Sequence, residues 1–238
     1  MNALNILKLR VLPLLAPLVM TSIAAAQEAA EASGNALGDM FDNAGPIGWT
    51  IVGVSVVSLA LIIENFMNIK RDKLAPPDII DELEALFDEQ NWQEALDLCE
   101  NERTYLTNVV SAGLGKLGHP FETIQTSVRE MQDEESVKLF QKIGWLSLIS
   151  ATAPMMGLFG TVTGMFITFG KIADAGGSVS PATLAGGIKL ALTTTIFGLT
   201  VAIPVGAFFF YFRNRVVRTT IEVNALAEDM FERFRAKK

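Results

Sequence analysis

Two long apolar segments, joined by a short polar turn, dominate the pattern of hydrophobic and polar positions. Residues 143–170 and 190–212 contain no charged side chain, which gives uncharged runs of 28 and 23 residues. A helix of about 20 apolar residues is long enough to cross the hydrocarbon core of a bilayer. Both segments are therefore predicted to span a membrane as helices.

A third apolar segment, residues 46–69, lies nearer the amino terminus. It is followed directly by three basic residues between positions 70 and 73. Clusters of Lys and Arg mark the cytoplasmic ends of membrane spans. Of the 17 Lys and Arg residues after position 26, eight fall within 70–142 and seven within 213–238. The sequence therefore predicts three spans, with the amino terminus outside and the carboxyl terminus in the cytoplasm.

The amino-terminal stretch has the layout of a secretory signal peptide. Lys8 and Arg10 precede an apolar run that ends in small residues, among them Ala24 and Ala26. The run is short for a stable span, and small residues fit a cleavage site. We predict a signal peptide at residues 1–26, with an uncleaved anchor as the alternative.

Helical periodicity characterises the polar part of the chain between the first and second spans. Pro77 suits the first position of a helix, and Asn91 suits a helix cap. From Phe121 onward the apolar positions recur at helical spacing, with no breaker before the second span begins. Beyond Arg213 the third span likewise continues as an amphipathic helix. Two of the spans are therefore predicted to extend into long cytoplasmic helices.

These patterns predict an all-α integral membrane protein with a small helical cytoplasmic insertion between its first two spans. The predicted organisation is a signal peptide at 1–26, a periplasmic segment at 27–45, transmembrane helices at 46–69, 143–172 and 183–212, a cytoplasmic helical domain at 70–142, a periplasmic turn at 173–182 and a cytoplasmic helical tail at 213–238.

Composition and charge exclude several classes of function. The net charge is -7, and nucleic-acid binding needs a concentrated basic face that this sequence lacks. Cys99 is the only cysteine, so no intramolecular disulfide can form. One His and one Cys, far apart in the sequence, offer too few ligands for a metal site, and the spans hold no plausible catalytic base. The sequence predicts neither an enzyme nor a bound cofactor.

Glycine and threonine interrupt the two long apolar segments, although lipid does not require them. Small residues let helix backbones approach closely, and threonine hydroxyls in a membrane form hydrogen bonds with other helices or contact water. The threonines are interpreted either as packing contacts or as the lining of a polar path. The candidates for the path are Thr161, Thr168, Thr194 and Thr195. The candidates for helix packing are Gly157, Gly160, Gly164, Gly198 and Pro204.

The same two segments resemble the MotA/TolQ/ExbB proton-channel family, and most closely its ExbB and TolQ branch. The resemblance is carried by the sequences APMMGLFGTVTGM, which begins at Ala153, and GIKLALTTTIFGLTVAIP, which begins at Gly187. It extends more weakly over about residues 45–235.

The resemblance implies a homopentamer around a central pore that holds two copies of a single-span partner resembling ExbD or TolR. An aspartate of the partner would carry the protons, and the threonines matching Thr161 and Thr195 would line the path near it. A TonB- or TolA-like protein would deliver the resulting force to the outer membrane. The implied function is an inner-membrane proton channel that converts proton-motive force into mechanical work.

One position departs from the family pattern. Many ExbB and TolQ proteins have a glutamate in the third span where this chain has Leu190, next to Lys189. Lys189 is interpreted either as reaching the outer surface with its long side chain, or as facing the pore or an acidic group. Two alternatives for the function stay open: a motility stator that uses the same ion flow, and a membrane scaffold that conducts no ions.

Overall fold

The computed structural model describes residues 45–176 and 180–232, and every regular element within these ranges is a helix. The seven helices are α1 (Gly45–Asn68), α2 (Arg71–Leu74), α3 (Pro77–Asp88), α4 (Trp92–Asn101), α5 (Tyr105–Leu114), α6 (Phe121–Asp174) and α7 (Pro181–Glu232). The predicted all-α fold is confirmed. The predicted signal peptide, the periplasmic segment before Gly45 and the last six residues of the tail lie outside the described residues.

Three of the helices, α1, α6 and α7, are long and apolar enough to cross a membrane. They contain 24, 54 and 52 residues. At 1.5 Å per residue, α6 and α7 are each about 80 Å long, whereas the hydrocarbon core of a bilayer is about 30 Å thick. The two longest helices therefore continue well beyond any single crossing.

Local sequence signals explain where the shorter helices begin. Pro77 is the first residue of α3, where its missing N–H has no helical partner to lose. The side chain of Asn91 accepts a hydrogen bond from the backbone of Glu94 at the start of α4. At the start of α5, Thr104 and Thr107 form a reciprocal capping box. The starts of α3 and α4 were predicted from sequence, whereas this capping box and the short helix α2 were not.

The described chain divides into two compact units. The first comprises residues 45–51, 156–176 and 180–197, and the second comprises residues 52–155 and 198–232. The helices α1, α6 and α7 contribute residues to both. Each unit is described below by itself.

The hydrophobic core of the second unit packs α3, α4 and α5 against the beginning of α6 and the end of α7. A Cβ atom placed on Gly113 of α5 would lie 2.7 Å from Cε1 of Phe231. The phenyl ring therefore packs directly against the α5 backbone, because no side chain stands between them. The fully buried side chains of this core include Leu83, Leu106, Val109, Val110, Val128 and Val223.

A buried polar cluster joins three of these helices. The hydroxyl of Tyr105 on α5 donates to Oδ1 of Asn224 on α7, at 2.8 Å, and lies 3.0 Å from Oγ of Ser136 on α6. The side-chain amide of Gln132 on α6 donates to the carbonyl oxygen of Asn224 at 3.4 Å. This cluster fixes the position of α5 relative to both long helices.

Candidate functional site

Small residues bring α6 and α7 into close antiparallel contact within the first unit. A Cβ atom on Gly160 would lie 2.5 Å from Cβ of Thr194, and one on Gly164 would lie 3.2 Å from Cβ of Ala191. Residue 160 pairs with residue 194, and residue 164 pairs with residue 191. The residue number therefore rises along α6 as it falls along α7, so the two helices are antiparallel. We call this line of contact the seam, defined by Gly160, Gly164 and Thr168 on α6 and by Gly187, Ala191 and Thr194 on α7. Larger side chains at the glycine positions would force the helices apart.

Two of the four candidate path threonines are enclosed in the seam. Thr194 is buried, and its hydroxyl lies within hydrogen-bond distance of the carbonyl oxygens of Ala191 (2.8 Å) and Gly157 (3.2 Å). Thr168 is also buried and donates to the carbonyl oxygen of Gly164 at 2.8 Å. A Cβ atom on Gly187 would lie 2.9 Å from Cβ of Thr168. In the single chain, both hydroxyls are therefore engaged in helix packing.

The other two candidate threonines, Thr161 and Thr195, are only half-buried. The hydroxyl of Thr195 donates to the carbonyl oxygen of Gly157 at 3.3 Å. The hydroxyl of Thr161 donates to the carbonyl oxygen of Leu158 at 2.7 Å. Each side chain keeps part of its surface accessible, so a further helix or water can reach it.

Thr161 and Thr195 lie at the same level and on the same edge of the helix pair. Each directly follows a seam residue, and these two seam residues, Gly160 and Thr194, face each other. One residue turns an α-helix by about 100°. Because the helices are antiparallel, a rotation of about 100° past the seam places Thr161 on α6 and Thr195 on α7 at the same edge of the helix pair. The pair of hydroxyls thus forms one polar patch on this edge.

The predicted packing residues divide into two groups. Gly157, Gly160, Gly164 and Gly198 are buried, whereas Pro204 is exposed on α7, which continues through it. The packing role of Pro204 stays a prediction, because none of the helices in residues 45–176 and 180–232 covers it.

Several contacts of the same kind were missed by the sequence analysis. Gly187 and Ala191 belong to the seam, although they were quoted only as part of the resemblance. In the second unit, the hydroxyl of Ser150 donates to the carbonyl oxygen of Ala202 at 3.2 Å. A Cβ atom on Gly206 would lie 2.7 Å from Oγ of Ser150. Small residues recurring at intervals of three or four are the signal that could have found them.

Lys189 lies away from these contacts. It is two residues from both Gly187 and Ala191, or about 200° around the helix, so it faces away from α6. Its side chain is exposed, and no carboxylate of the described residues lies within 4.0 Å of its ammonium group. Leu190, where the resemblance implies a glutamate in many relatives, is half-buried.

The arrangement offers hydrogen-bonding groups but no titratable group for an ion to occupy. The uncharged runs of α6 and α7 contain neither Asp nor Glu. Among the described residues, no group of three or more His, Cys, Asp or Glu side chains is placed to hold a metal ion.

Comparison with known proteins identifies the family. The model of the MotA/TolQ/ExbB proton channel family matches residues 101–225, more than half of the chain. The chain belongs to this family. An ExbB homolog of Methanothermobacter thermautotrophicus is 27% identical over 180 residues, which cover 75% of this chain and 63% of the homolog. The biopolymer transport protein ExbB of Xanthomonas campestris is 35% identical over 125 residues, covering 52% of this chain and 49% of that protein.

The solved structures support the fold of this MotA/TolQ/ExbB family member. The structure of C. jejuni MotAB is similar with a TM-score of 0.53 and 20% sequence identity, over 90% of this chain and 86% of that one. The chain spans between about half and two thirds of the length of the two ExbB relatives. Family and helix composition together make this a multi-pass membrane protein of a channel family.

Proposed function

We propose that this chain is the ExbB/TolQ-like subunit of an inner-membrane proton channel. With an ExbD/TolR-like single-span partner, it converts proton-motive force into mechanical work for TonB-dependent transport or envelope maintenance. The observation that carries the proposal is the pair of half-buried hydroxyls, Thr161 and Thr195, at one level of one helix edge.

Hydroxyl groups suit a path along which a carboxylate changes its protonation state. A carboxylate in a membrane is costly unless it is neutralised, hydrogen-bonded or hydrated. A threonine hydroxyl can donate to the ionised form and accept from the protonated form. Because α6 and α7 supply no carboxylate in their uncharged runs, the proton carrier belongs to the partner.

The membrane potential supplies enough free energy for repeated mechanical steps. Moving one charge through a potential of 100 mV releases about 2.3 kcal/mol. A TonB- or TolA-like third protein would carry the resulting force toward the outer membrane.

Exposed apolar residues outside the uncharged runs support self-association. Val137 and Phe140 on α6 precede the charged residue Lys142, and Val217 and Ile221 on α7 follow Arg213. Lipid covers apolar side chains within the bilayer but not beyond it. We propose that neighbouring copies cover these residues in a homopentamer.

The proposed orientation follows the basic residues. The amino terminus is periplasmic and the carboxyl terminus is cytoplasmic, because Lys and Arg concentrate in 70–142 and 213–238. The transmembrane segments are 46–69, 143–172 and 183–212.

The test is proton flux into liposomes that contain this protein and the ExbD/TolR-like protein of the same organism. Flux should require both proteins and should fall at least tenfold in Thr161→Val and in Thr195→Val, while the complex still assembles. Thr200→Val is the matched control, because Thr200 is an exposed hydroxyl on a different side of α7. Its flux should equal that of the wild type.

Two outcomes would count against the proposal. Normal flux in both valine variants would remove the threonines from the path. An intact wild-type complex that carries no protons under a membrane potential would favour the non-conducting scaffold. The motility alternative is distinguished by the partner, because a stator would associate with a peptidoglycan-binding protein instead of an ExbD/TolR-like one.

A further inference from the structure

A cavity in the second unit lies between the end of α1 and the middle of α6. Its volume is about 570 Å³. Both walls carry polar and apolar side chains, and both belong to the same compact unit. The lining residues are Leu61, Glu64 and Asn65 on α1, and Glu135, Lys138, Leu139, Gln141, Lys142 and Trp145 on α6.

One cation and one anion of the cavity lining are exposed and form no salt bridge among the described residues. Lys138 forms salt bridges with Glu134 (2.9 Å) and Glu135 (2.8 Å), so each of these three side chains already has an ion-pair partner. Lys142 and Glu64 take part in none of the salt bridges of the described residues. Oε1 of Glu64 accepts a hydrogen bond from the side-chain amide of Asn68 at 3.5 Å. The two free charges come from opposite walls.

Along the helices, the cavity lies at the level where lipid headgroups are expected. Glu64 directly follows the uncharged stretch of α1, and Lys142 directly precedes the uncharged run of α6. Trp145, 60% exposed, lies one turn further into that run. Tryptophan concentrates where a bilayer meets water, because its ring is apolar and its N–H is polar. The cavity therefore opens at the boundary between headgroups and acyl chains.

We propose that this cavity binds the headgroup of one phosphatidylethanolamine molecule from the adjacent leaflet. Lys142 binds the phosphate, and Glu64 accepts hydrogen bonds from the primary ammonium group. Leu61, Leu139 and Trp145 contact the glycerol and the first methylene groups. The proposal concerns lipid binding by the chain itself and does not depend on whether the assembled complex conducts protons.

The charges of the lining select this headgroup over other common ones. The phosphate of an anionic phosphatidylglycerol headgroup could bind Lys142, but this headgroup has no cation to pair with Glu64. A choline headgroup carries a positive charge but has no N–H to donate to a carboxylate. Phosphoethanolamine has both a phosphate and three N–H donors, so it complements both free charges.

The bound lipid would link α1 to α6 at the basic end of the spans. Glu64 and Lys142 lie on different helices and are not paired with each other. A zwitterionic headgroup between them replaces a direct salt bridge with two charge-assisted interactions.

The experiment measures lipid retained by the full-length protein. The protein is incorporated into vesicles of equal parts phosphatidylethanolamine, phosphatidylglycerol and phosphatidylcholine, extracted in mild detergent and analysed by native mass spectrometry. Wild type should retain phosphatidylethanolamine at about one molecule per chain. Glu64→Gln and Lys142→Gln should each reduce this at least fivefold, whereas Lys142→Arg should preserve it. Free phosphoethanolamine, added in excess, should not displace the lipid, because it lacks the acyl chains.

Matched controls distinguish lipid binding at this cavity from general attraction of lipid headgroups to a charged surface. Lys73→Gln and Asp72→Asn change exposed charges near the same end of α1 but outside the cavity. Both should retain lipid as wild type does, and all variants should show the wild-type elution profile in size-exclusion chromatography. Three results would each overturn the proposal. They are wild-type retention of phosphatidylethanolamine in Glu64→Gln and Lys142→Gln, preferential retention of phosphatidylglycerol by the wild type, and a loss of lipid in the control variants as large as that in the cavity variants.

Discussion

At the scale of single residues, the same substitution should have opposite effects at two glycines of α6. A Cβ atom on Gly160 would lie 2.5 Å from Cβ of Thr194, whereas one on Gly144 would meet nothing within 4 Å. Alanine stabilises a helix relative to glycine by about 1 kcal/mol where space permits. Overpacking a tight contact costs about 1–3 kcal/mol. We therefore expect Gly160→Ala to lower the melting temperature and Gly144→Ala to leave it unchanged or raise it.

The measurement is thermal unfolding of the purified protein in one detergent, followed by circular dichroism. Gly144→Ala serves as the internal control, because both glycines belong to the same helix. A melting temperature for Gly160→Ala equal to that of Gly144→Ala would contradict the close approach of α6 and α7.

The single cysteine should be unreactive in the folded protein. Cys99 is buried in the core of the second unit, and burial raises the pKa of its thiol from 9.0 to about 12. The thiolate is the reactive form, and its population at pH 8 is therefore very small. We expect labelling by a maleimide to be at least tenfold slower than in the unfolded chain.

The same pKa shift predicts how this thiol affects stability. The unfolded chain loses the thiol proton near pH 9, whereas the folded chain keeps it until about pH 12. The folded state binds more protons in this interval, so its stability falls as pH rises from 9 toward 12. Cys99→Ser should lessen that fall, and an identical pH dependence in the two proteins would contradict the buried thiol.

At the scale of helices, the sequence predicted where elements begin better than how they meet. Pro77, Asn91 and Pro181 are local signals, and a helix begins at or directly after each of them. The shared level of Thr161 and Thr195 depends on the register between α6 and α7. That register is set by glycine contacts between residues far apart in the chain, so no local pattern determines it.

In the second unit, the relative position of α5, α6 and α7 depends on a residue that the sequence analysis overlooked. Tyr105 looks like one more aromatic core residue, but its hydroxyl connects α5 to α6 and α7. Removal of a buried hydrogen-bonded group costs about 1–3 kcal/mol when its partners lose their bonds. Tyr105→Phe should lower the free energy of unfolding by that amount.

The matched control is Tyr211→Phe. Tyr211 is exposed, and its hydroxyl accepts a hydrogen bond from Arg215, one turn along the same helix, at 3.2 Å. This second substitution should change stability by less than about 0.5 kcal/mol. Equal effects of the two variants in chemical denaturation would show that the Tyr105 cluster contributes nothing specific.

At the scale of the whole molecule, one face of α7 is left uncovered by the other described residues. Its exposed apolar residues recur every three, four or seven positions, and they include Leu192, Ile196, Leu199, Ile203, Phe210, Val217 and Ile221. Within the uncharged run, lipid can cover this stripe. Ile221, 64% exposed, lies beyond three arginines and outside that run. In the proposed homopentamer, a neighbouring copy covers the end of the stripe.

Ile221 consequently provides the sharpest test of the proposed self-association. A carboxylate at this position would have to be buried without a partner in the interface, which is costly, whereas it would be harmless on a free surface. Ile221→Glu should reduce the oligomeric fraction at least tenfold, as measured by light scattering after size-exclusion chromatography. Glu100→Lys, a change of charge at an exposed position on α4, should leave the oligomer intact. An unchanged mass for Ile221→Glu would mean that neighbouring copies do not pack along this part of α7.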